Sequence, residues 1–453
     1  MSIVLDIVYL LLLLIASPFI LVRMALSARW RSGWKERLGG VPARQGTKPC
    51  IWVHAVSVGE VAAARPLLDL LAAEHPDWDV RLSTTTNTGQ QVARRAWGAE
   101  RCFYFPLDIS FLLKRVFDRV RPDIIVLLEL EIWPNFLRMA RRRGIPVVIV
   151  NGRMREERVK TYRRLRFLFA PALEAASRNV ACVQNDTYRK RFVRAGFAPE
   201  MLRVTGNMKY DAVQTQVAAE GIAAIRAAFG LALGETVWAA GCTWPGEEEI
   251  CLRVHRELLR DHPGLRLAIA PRHVERAGEV EQAIRRAGFD CVRRSRQTAS
   301  VAATEPCEGS DKPAQGLSAP PSSAVCLLDT VGELVYVYAV SSFVFVGKSL
   351  AACGGHNILE PAAQGVPPVF GPHYDNFQEE AEWLLAVGGA ECVRSESELA
   401  CAAGRLLADP ELRRARGSKA RAALDEKRGA ARRHLQLLQT MLSTRDHSIS
   451  EGT

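Results

Sequence analysis

The sequence has no C-x-x-C pair among its 11 cysteines, and this odd number disfavours both a fully paired disulfide framework and a zinc ribbon. It also lacks a G-x-G-x-x-G motif and a G-x-x-x-x-G-K-[ST] motif, which weakens the dehydrogenase and P-loop ATPase interpretations. No cluster of histidine, cysteine and acidic residues has the spacing of metal ligands, so neither a metal nor a cofactor is expected. The cysteine pattern indicates a reducing compartment.

Positive charge is concentrated in two stretches of the chain. The formal net charge of +11 indicates an anionic partner, which on composition alone is nucleic acid, membrane or a phosphorylated substrate. Residues 23–48 hold seven basic residues and one acidic residue, and residues 138–166 hold eleven basic and two acidic residues. The placement of the first stretch directly after an apolar N-terminal segment argues against a nucleic-acid partner and favours a membrane surface.

That N-terminal segment is a long hydrophobic run. Residues 3–22 span 20 positions if Asp6 lies at the membrane interface, which is about the length that crosses ~30 Å of hydrocarbon. A cleaved signal peptide is the alternative, because Ala-Leu-Ser-Ala at 25–28 resembles a cleavage site, but the early charge is acidic rather than basic. Basic residues follow the run, so we predict an uncleaved anchor or a monotopic helix at 1–26, with the rest of the chain in the cytoplasm.

Short apolar runs alternate with amphipathic helical stretches from residue 49 onward, a pattern typical of βαβ units. Two such series, at 49–210 and 235–440, predict two doubly wound α/β domains with a ligand cleft between them. Residues 295–323 are rich in Ser, Ala, Pro and Gly and are predicted to form a disordered insertion. Buried parallel strands are predicted at 50–56, 79–85, 101–105, 123–130, 146–152, 180–185, 236–242, 265–271, 325–329, 342–347 and 366–371.

Candidate site residues of the first domain stand where predicted strands end. Glu60 opens a helix after such a strand, and it either complements the helix dipole or acts as a base for an acceptor hydroxyl. Glu129 and Glu131 close an apolar strand at i, i+2 and are expected to point the same way, either pairing with the neighbouring arginine-rich helix or forming part of a site. Lys209 follows a Gly-Asn turn at the domain junction, where it is either solvated or within reach of a phosphate.

The second domain repeats this placement. Arg272 follows a strand and is suited to bind a phosphate with its forked guanidinium. The loop at 330–334 also follows a strand, so its backbone N–H groups could hold the base or phosphate of a nucleotide. Asn357 and Glu360 have the spacing of an ordinary capping box, but a carboxylate at this place could also accept both ribose hydroxyls.

Six stretches, in this order behind the N-terminal segment, resemble the lipid A 3-deoxy-D-manno-octulosonic acid (Kdo) transferases. The resemblance covers nearly the whole chain. It implies a glycosyltransferase-B fold and an inner-membrane enzyme that transfers Kdo from CMP-Kdo to a lipid A precursor with inversion, without a metal. The stretches are HAVSVGE (54–60), ELEIWPN (129–135), TGNMKYD (205–211), APRH (270–273), DTVGEL (329–334) and GGHNILEPAAQGVPPVFGPHYDNF (354–377).

The resemblance also implies roles for individual residues. Glu60 would be the general base, and Glu129 and Lys209 would stabilise the transition state. We further predict that Arg153 and Arg155, which leave a strand, bind the acceptor's phosphates, although a solvated surface is the alternative. The residues that would hold CMP are Pro271, Arg272, Val331, Gly332, Glu333, Asn357, Ile358, Leu359 and Glu360.

Three features depart from the family's pattern. Lys348 stands where many members have glycine, Cys-Thr-Trp-Pro at 242–245 replaces a Ser/Thr-His-type turn, and the insertion at 295–323 is longer than usual. These departures concern the donor site and not the class of enzyme. Two alternatives stay open: a transferase of the same fold that acts on another lipid-linked sugar, and a non-catalytic, membrane-tethered nucleotide-binding protein.

Overall fold

The chain folds into two compact α/β units. The structure is a computed structural model that describes residues 2–174, 179–297, 324–351 and 354–450. The first unit comprises Met1–Ala212 with Lys427–Thr453, and the second comprises Val213–Glu426. Each unit contains a seven-stranded sheet whose paired strands all run parallel. This confirms the prediction of two doubly wound domains.

The first sheet has the strand order β3-β2-β1-β4-β5-β6-β7, so the winding direction reverses between β1 and β4. Its strands are β1 (Cys50–His54), β2 (Asp79–Thr84), β3 (Cys102–Tyr104), β4 (Ile124–Leu128), β5 (Val147–Gly152), β6 (Val180–Val183) and β7 (Leu202–Val204). The helices are α1 (Ser2–Leu26), α2 (Ala28–Arg31), α3 (Trp34–Arg37), α4 (Val58–Glu74), α5 (Asn87–Trp97), α6 (Ser110–Val120), α7 (Pro134–Arg142), α8 (Glu156–Glu174), α9 (Asp186–Ala195) and α10 (Met208–Asp211). Every residue of the central strands β1, β4 and β5 is buried, as expected for strands covered by helices on both faces.

The second sheet has the order β10-β11-β9-β8-β12-β13-β14 and reverses between β8 and β12. Its strands are β8 (Val237–Thr243), β9 (Arg266–Pro271), β10 (Cys291–Arg293), β11 (Val325–Leu327), β12 (Val344–Val346), β13 (Pro368–Phe370) and β14 (Glu391–Cys392). The helices are α11 (Ala219–Phe229), α12 (Glu247–Leu258), α13 (Ala277–Arg286), α14 (Arg294–Gln297), α15 (Leu334–Val340), α16 (Leu359–Ala363), α17 (Gln378–Ala386), α18 (Glu396–Ala408) and α19 (Pro410–Lys427).

Three strands were absent from the sequence prediction. They are β7, β10 and β14, which have two or three residues each and stand at sheet edges. An edge strand this short is partly exposed and carries no continuous apolar run, which was the signal used to find the others. The predicted insertion at 295–323 lies, from residue 298 onward, outside the described residues.

The chain's last helix returns to the first unit, although the predicted second domain extended to residue 440. This helix, α20 (Ala430–Ser450), packs on α4 and buries Leu435 and Leu438 in the same core as β1. Asp211 fixes its start by accepting hydrogen bonds from the backbone N–H groups of Gly429 (2.6 Å) and Ala431 (2.7 Å). Helical periodicity reveals such an apolar face but not which domain receives it.

Helix α1 is apolar and long enough to cross a membrane, with a mean hydropathy of 2.6 over Ile3–Leu26. It also contacts the body of the first unit through Asp6, which the sequence analysis placed at the membrane interface. One carboxylate oxygen of Asp6 accepts from the backbone N–H of Ser110 and from Asn135 Nδ2, both at 2.9 Å. Asn135 Nδ2 also donates to the backbone oxygen of Asp108 at 2.8 Å. Asn135 lies in the first turn of α7, so this turn helps to hold α1 against the first unit.

Candidate active site

Glu60 lies in the first turn of α4, directly after the carboxyl end of β1. Its carboxylate accepts a hydrogen bond from the backbone N–H of Val56 at 2.7 Å and from the Ser57 hydroxyl at 3.3 Å. Burial raises the pKa of Glu60 to about 7, and the Glu129 charge contributes to that increase. Glu60 therefore makes capping-type contacts and also has a pKa suited to a base at neutral pH.

Glu129 and Glu131 do not continue β4, which ends at Leu128. Glu129 adopts a left-handed backbone conformation with φ of 57°, so the strand geometry from which the two side chains were expected to point the same way is not present. The chain turns here, directly after the last residue of β4. Burial raises the pKa of Glu131 to about 7, with further increases from the charges of Glu60 and Glu129. The turn thus brings a second and a third carboxylate near Glu60.

Arg153 forms an ion pair with this acidic group. Its Nε lies 2.7 Å from a carboxylate oxygen of Glu129, and its side chain is about half exposed. An ion pair of Glu129 was one of the two alternatives that the sequence allowed. Glu129 does form one, but its partner follows β5 and does not belong to the arginine-rich helix α7. Arg155 is exposed and immediately precedes α8. Binding of the acceptor's phosphates by Arg153 and Arg155 stays a prediction.

These side chains share one edge of the first sheet. Strands β1, β4 and β5 are adjacent and parallel, so the segments that follow them meet at their common carboxyl edge. This edge includes the point where the winding direction reverses, which is where doubly wound sheets bind ligands. Three carboxylates and one arginine in a half-buried setting form a candidate centre for proton transfer.

Lys209 lies on α10, which packs against the helix that carries Glu60. Asn207 caps α10 by accepting from the backbone N–H of Lys209 at 3.0 Å, and Asn151 accepts from that of Met208 at 3.0 Å. Asn151 is a buried residue with φ of 55° at the end of β5, and sequence reasoning missed it. The Lys209 ammonium lies 5.5 Å from the centre of the Tyr210 ring and is exposed.

A second group of candidate residues lies at the carboxyl edge of the second sheet. Arg272 directly follows β9, and its backbone N–H donates to the carbonyl of Thr243 at 3.1 Å. Burial raises the pKa of Glu360, against the opposing effects of the Asn357 amide and the Arg272 guanidinium. Asn357 Nδ2 donates to Glu360 at 3.1 Å, while Asn357 Oδ1 accepts from the backbone N–H of Leu359 at 3.2 Å. The two side chains contact each other directly, so this is not an ordinary capping box.

The other predicted CMP-binding residues could contact a ligand mainly through their backbone groups. Pro271, Ile358 and Leu359 are buried, so their side chains are unavailable to a ligand. Val331 is 85% exposed and is followed by Gly332 with φ of 92°, which leaves the loop after β11 open. The Glu333 carboxylate lies 2.7 Å from Arg294 Nη2 and is thus neutralised by an ion pair within its own unit.

The glycine-rich loop after β12 is already occupied by a carboxylate of the protein. Glu247 is fully buried and accepts hydrogen bonds from the backbone N–H groups of Lys348 (2.6 Å), Ser349 (3.0 Å), Leu350 (3.0 Å) and Ala351 (3.3 Å). Its second oxygen also accepts from the backbone N–H of Trp244 at 2.9 Å. These amides therefore bind an internal anion and are not available to a phosphate.

Comparison with known proteins agrees with the resemblance seen in the sequence. Residues 32–212 match the family described as "3-Deoxy-D-manno-octulosonic-acid transferase (kdotransferase)". A 3-deoxy-D-manno-octulosonic acid transferase from Haemophilus influenzae is 33% identical over 95% of this chain and 97% of its own, and one from Bordetella pertussis is 31% identical over 86% and 87%. A UDP-GlcNAc 2-epimerase from Neisseria meningitidis, solved with UDP-GlcNAc, shares the fold at 13% identity and a TM-score of 0.54 over 86% of this chain and 100% of its own. The chain belongs to the 3-deoxy-D-manno-octulosonic acid transferase family of glycosyltransferases.

Proposed function

We propose that the chain transfers Kdo from CMP-Kdo to a hydroxyl group of a lipid A precursor, with inversion at the anomeric carbon. The observation that carries this proposal is the half-buried Glu60, whose pKa is raised to about 7 at the carboxyl edge of the first sheet. A carboxylate with that pKa is a suitable base for an attacking hydroxyl near neutral pH. Incubation of the purified protein with CMP-Kdo and tetra-acylated lipid A precursor, followed by the product mass, tests it.

The chemical step then needs one proton acceptor and one site for the leaving group. The acceptor oxygen bonds to the anomeric carbon of Kdo while its proton moves to a carboxylate oxygen of Glu60. The bond from the anomeric carbon to the phosphate oxygen breaks, and its electron pair leaves with CMP. Glu129, held by Arg153, contributes a fixed negative charge beside the developing positive charge of the sugar, and Lys209 supplies a cation near the acceptor.

CMP is assigned to the edge of the second sheet. Arg272 provides a charge-assisted contact for the phosphate, and Glu360 is suited to accept the ribose hydroxyls. The half-buried setting of Glu360 and its electrostatic contact with Arg272 support this assignment. Open backbone at Val331 and Gly332 would contact the base. The described residues contain no group of three or more His, Cys, Asp or Glu side chains suited to hold a metal ion.

Arg272→Ala and Glu360→Gln should each weaken CMP binding about ten- to hundredfold, because each removes one charge-assisted contact. Calorimetry with CMP measures this directly. Arg286→Ala removes an exposed charge from the same unit and should leave the affinity unchanged. Unchanged affinity in both test variants would mean that Arg272 and Glu360 serve only to shape the loop.

We infer that α1 tethers the protein to the inner membrane as a monotopic helix, with the catalytic units in the cytoplasm. The contacts of Asp6 near its start favour this over an isolated span, since they attach the start of the helix to the first unit. Many of its large apolar side chains are exposed, including Ile3, Leu14 and Ile15 at 69–75%. An exposed apolar surface of this extent is typical of a membrane contact.

Deletion of residues 1–26 should move the protein to the soluble fraction and lower its rate on acceptor in vesicles about tenfold or more, as membrane recruitment is lost. Donor binding should be unchanged, because the deletion does not touch the second unit. Vesicle sedimentation at low and high salt, with CMP calorimetry alongside, provides the measurement. Full-length Asp6→Ala is the matched variant. It removes the hydrogen bonds to Ser110 and Asn135 but keeps the apolar helix, so the protein should still sediment with the vesicles. Sedimentation of the deleted protein in high salt would require another apolar contact.

A further inference from the structure

Lys348 and Trp244 flank the point where the winding of the second sheet reverses. Trp244 directly follows β8, and Lys348 comes two residues after β12, the strand beside it. Crevices at such reversal points are where doubly wound sheets bind ligands. These two residues belong to segments for which the reaction described above has no role.

The backbone of both residues is fixed by one buried carboxylate. Glu247 accepts from the N–H groups of Trp244 and Lys348, at 2.9 and 2.6 Å, with the same oxygen. Lys348 also has φ of 57°, a left-handed backbone conformation that residues other than glycine rarely adopt. Such a conformation persists where the surroundings over-determine it, and it is concentrated at ligand sites.

The Lys348 side chain is held over an aromatic surface. Its ammonium lies 5.1 Å from the centre of the Trp244 ring, and the Trp244 ring meets that of His273, the neighbour of Arg272, at 5.5 Å between centres. No carboxylate lies within ion-pair distance of Lys348 in the part of the chain that the structure describes. Among the described residues, its ammonium is therefore positioned by Trp244 and not paired with a carboxylate.

Positive charge accumulates around this point. Burial, followed by the charges of Arg272, Lys348 and His273, lowers the pKa of His356 to about 4, so each of these three groups lies within electrostatic reach of His356. Glu360, which interacts electrostatically with Arg272, already accepts a hydrogen bond from Asn357. The backbone amides of residues 348–351 are occupied by Glu247, so the Lys348 side chain, and not these amides, is available to an incoming anion.

We propose that Lys348, held by Trp244 and Glu247, forms a subsite for the carboxylate of the donor sugar, separate from the contact of Arg272 with the phosphate. The inference rests on the proposed function, in which the donor is the CMP ester of a sugar acid. Such a donor carries two anionic groups, one on the phosphate and one on the sugar carboxylate. Two cations, Arg272 and Lys348, match them at one sheet edge. A donor without the carboxylate would leave the Lys348 ammonium unpaired, which makes Lys348 a determinant of specificity for acidic sugars.

The test compares binding of CMP and of CMP-Kdo to the full-length protein without acceptor, by calorimetry. Lys348→Met keeps the length of the side chain and removes its charge. We expect its CMP-Kdo affinity to fall about ten- to hundredfold and its CMP affinity to change less than about threefold. Lys348→Gly removes the same charge and suits the left-handed backbone, so it serves if the Met variant is unstable. Lys419→Met, which removes an exposed charge from the same unit, is the control and should change neither affinity.

A second comparison uses a donor analogue with a neutral amide in place of the sugar carboxylate. Together with Lys348→Met, this analogue forms a double-mutant cycle between the lysine and the carboxylate. Wild-type protein should bind this analogue as weakly as Lys348→Met binds CMP-Kdo, and the variant should lose nothing further with it. Equal losses for CMP and CMP-Kdo would assign Lys348 to the phosphate, and unchanged CMP-Kdo affinity would remove it from the donor site, so either result overturns the proposal. Failure of wild-type protein to bind CMP-Kdo at all would instead reject the proposed function.

Discussion

Glu60→Gln should reduce turnover about a hundredfold or more while leaving CMP affinity unchanged. Glutamine keeps the size of the side chain and can still accept from the Val56 N–H, but it cannot take the proton of the acceptor hydroxyl. Initial rates at saturating donor and acceptor measure the loss, and calorimetry with CMP measures the retained binding. Glu74→Gln, at the other end of the same helix, is the matched control and should keep full activity. A rate within a few-fold of wild type for Glu60→Gln would remove Glu60 from the role of base.

The pH dependence gives an independent measurement of the same group. With a pKa of about 7, Glu60 is ionised only above neutral pH, so wild-type turnover should rise about tenfold per pH unit below pH 7 and then level off. Glu129→Gln removes a nearby negative charge that raises this pKa, so the midpoint should move to lower pH. A profile with no inflection between pH 5 and 8 would contradict the assignment.

The raised pKa also predicts a change in stability of known sign. The folded state binds the Glu60 proton more tightly than the unfolded state, so the contribution of Glu60 to wild-type stability falls as pH rises from about 4.5 through 7. Glutamine removes this cost of ionising a buried group. Glu60→Gln should therefore melt at or above the wild-type temperature at pH 8 and near it at pH 4.5, which separates loss of the base from loss of the fold.

Much of the fold was predictable because buried parallel strands have a clear signal. The runs at 50–56 and 146–152 are predominantly apolar and correspond to the fully buried strands β1 and β5. The return of α20 to the first unit was not predictable, since it depends on Asp211 and on an apolar face that either domain could have received. Local sequence patterns define elements, whereas such a docking choice is made by contacts between residues over 200 positions apart.

The candidate site was predictable in its residues but less so in its geometry. Glu60, Glu129 and Arg153 stood at strand ends in the sequence, and the parallel sheet brings them to one edge. The left-handed turn at Glu129 had no sequence signal, because glutamate is not a residue that favours this conformation. The carboxylate that binds the backbone of the loop after β12 could not be predicted either, since Glu247 lies about a hundred positions earlier in the chain.

Glu247→Ala should destabilise the second unit by about 3–5 kcal/mol, the typical cost of removing one partner from a buried charged network. Five backbone N–H groups, those of Trp244 and of residues 348–351, lose their acceptor at once. The side chain is fully buried, so water can replace it only by entering the core beside β8 and β12. Leaving even two of these donors unsatisfied would cost an amount of this order.

Denaturant unfolding followed by tryptophan fluorescence measures this loss, with CMP calorimetry on the folded protein as a second readout. Glu249→Ala is the matched control, because Glu249 is an exposed carboxylate in the same first turn of α12 and should cost no more than about 0.5 kcal/mol. Glu247→Gln keeps one oxygen for the loop but turns an amide N–H₂ toward the remaining donors, so it should fall between the two. If Glu247→Ala and Glu249→Ala unfold at the same denaturant concentration, then the amides of residues 348–351 do not depend on this carboxylate, and the loop after β12 is free to bind an external anion.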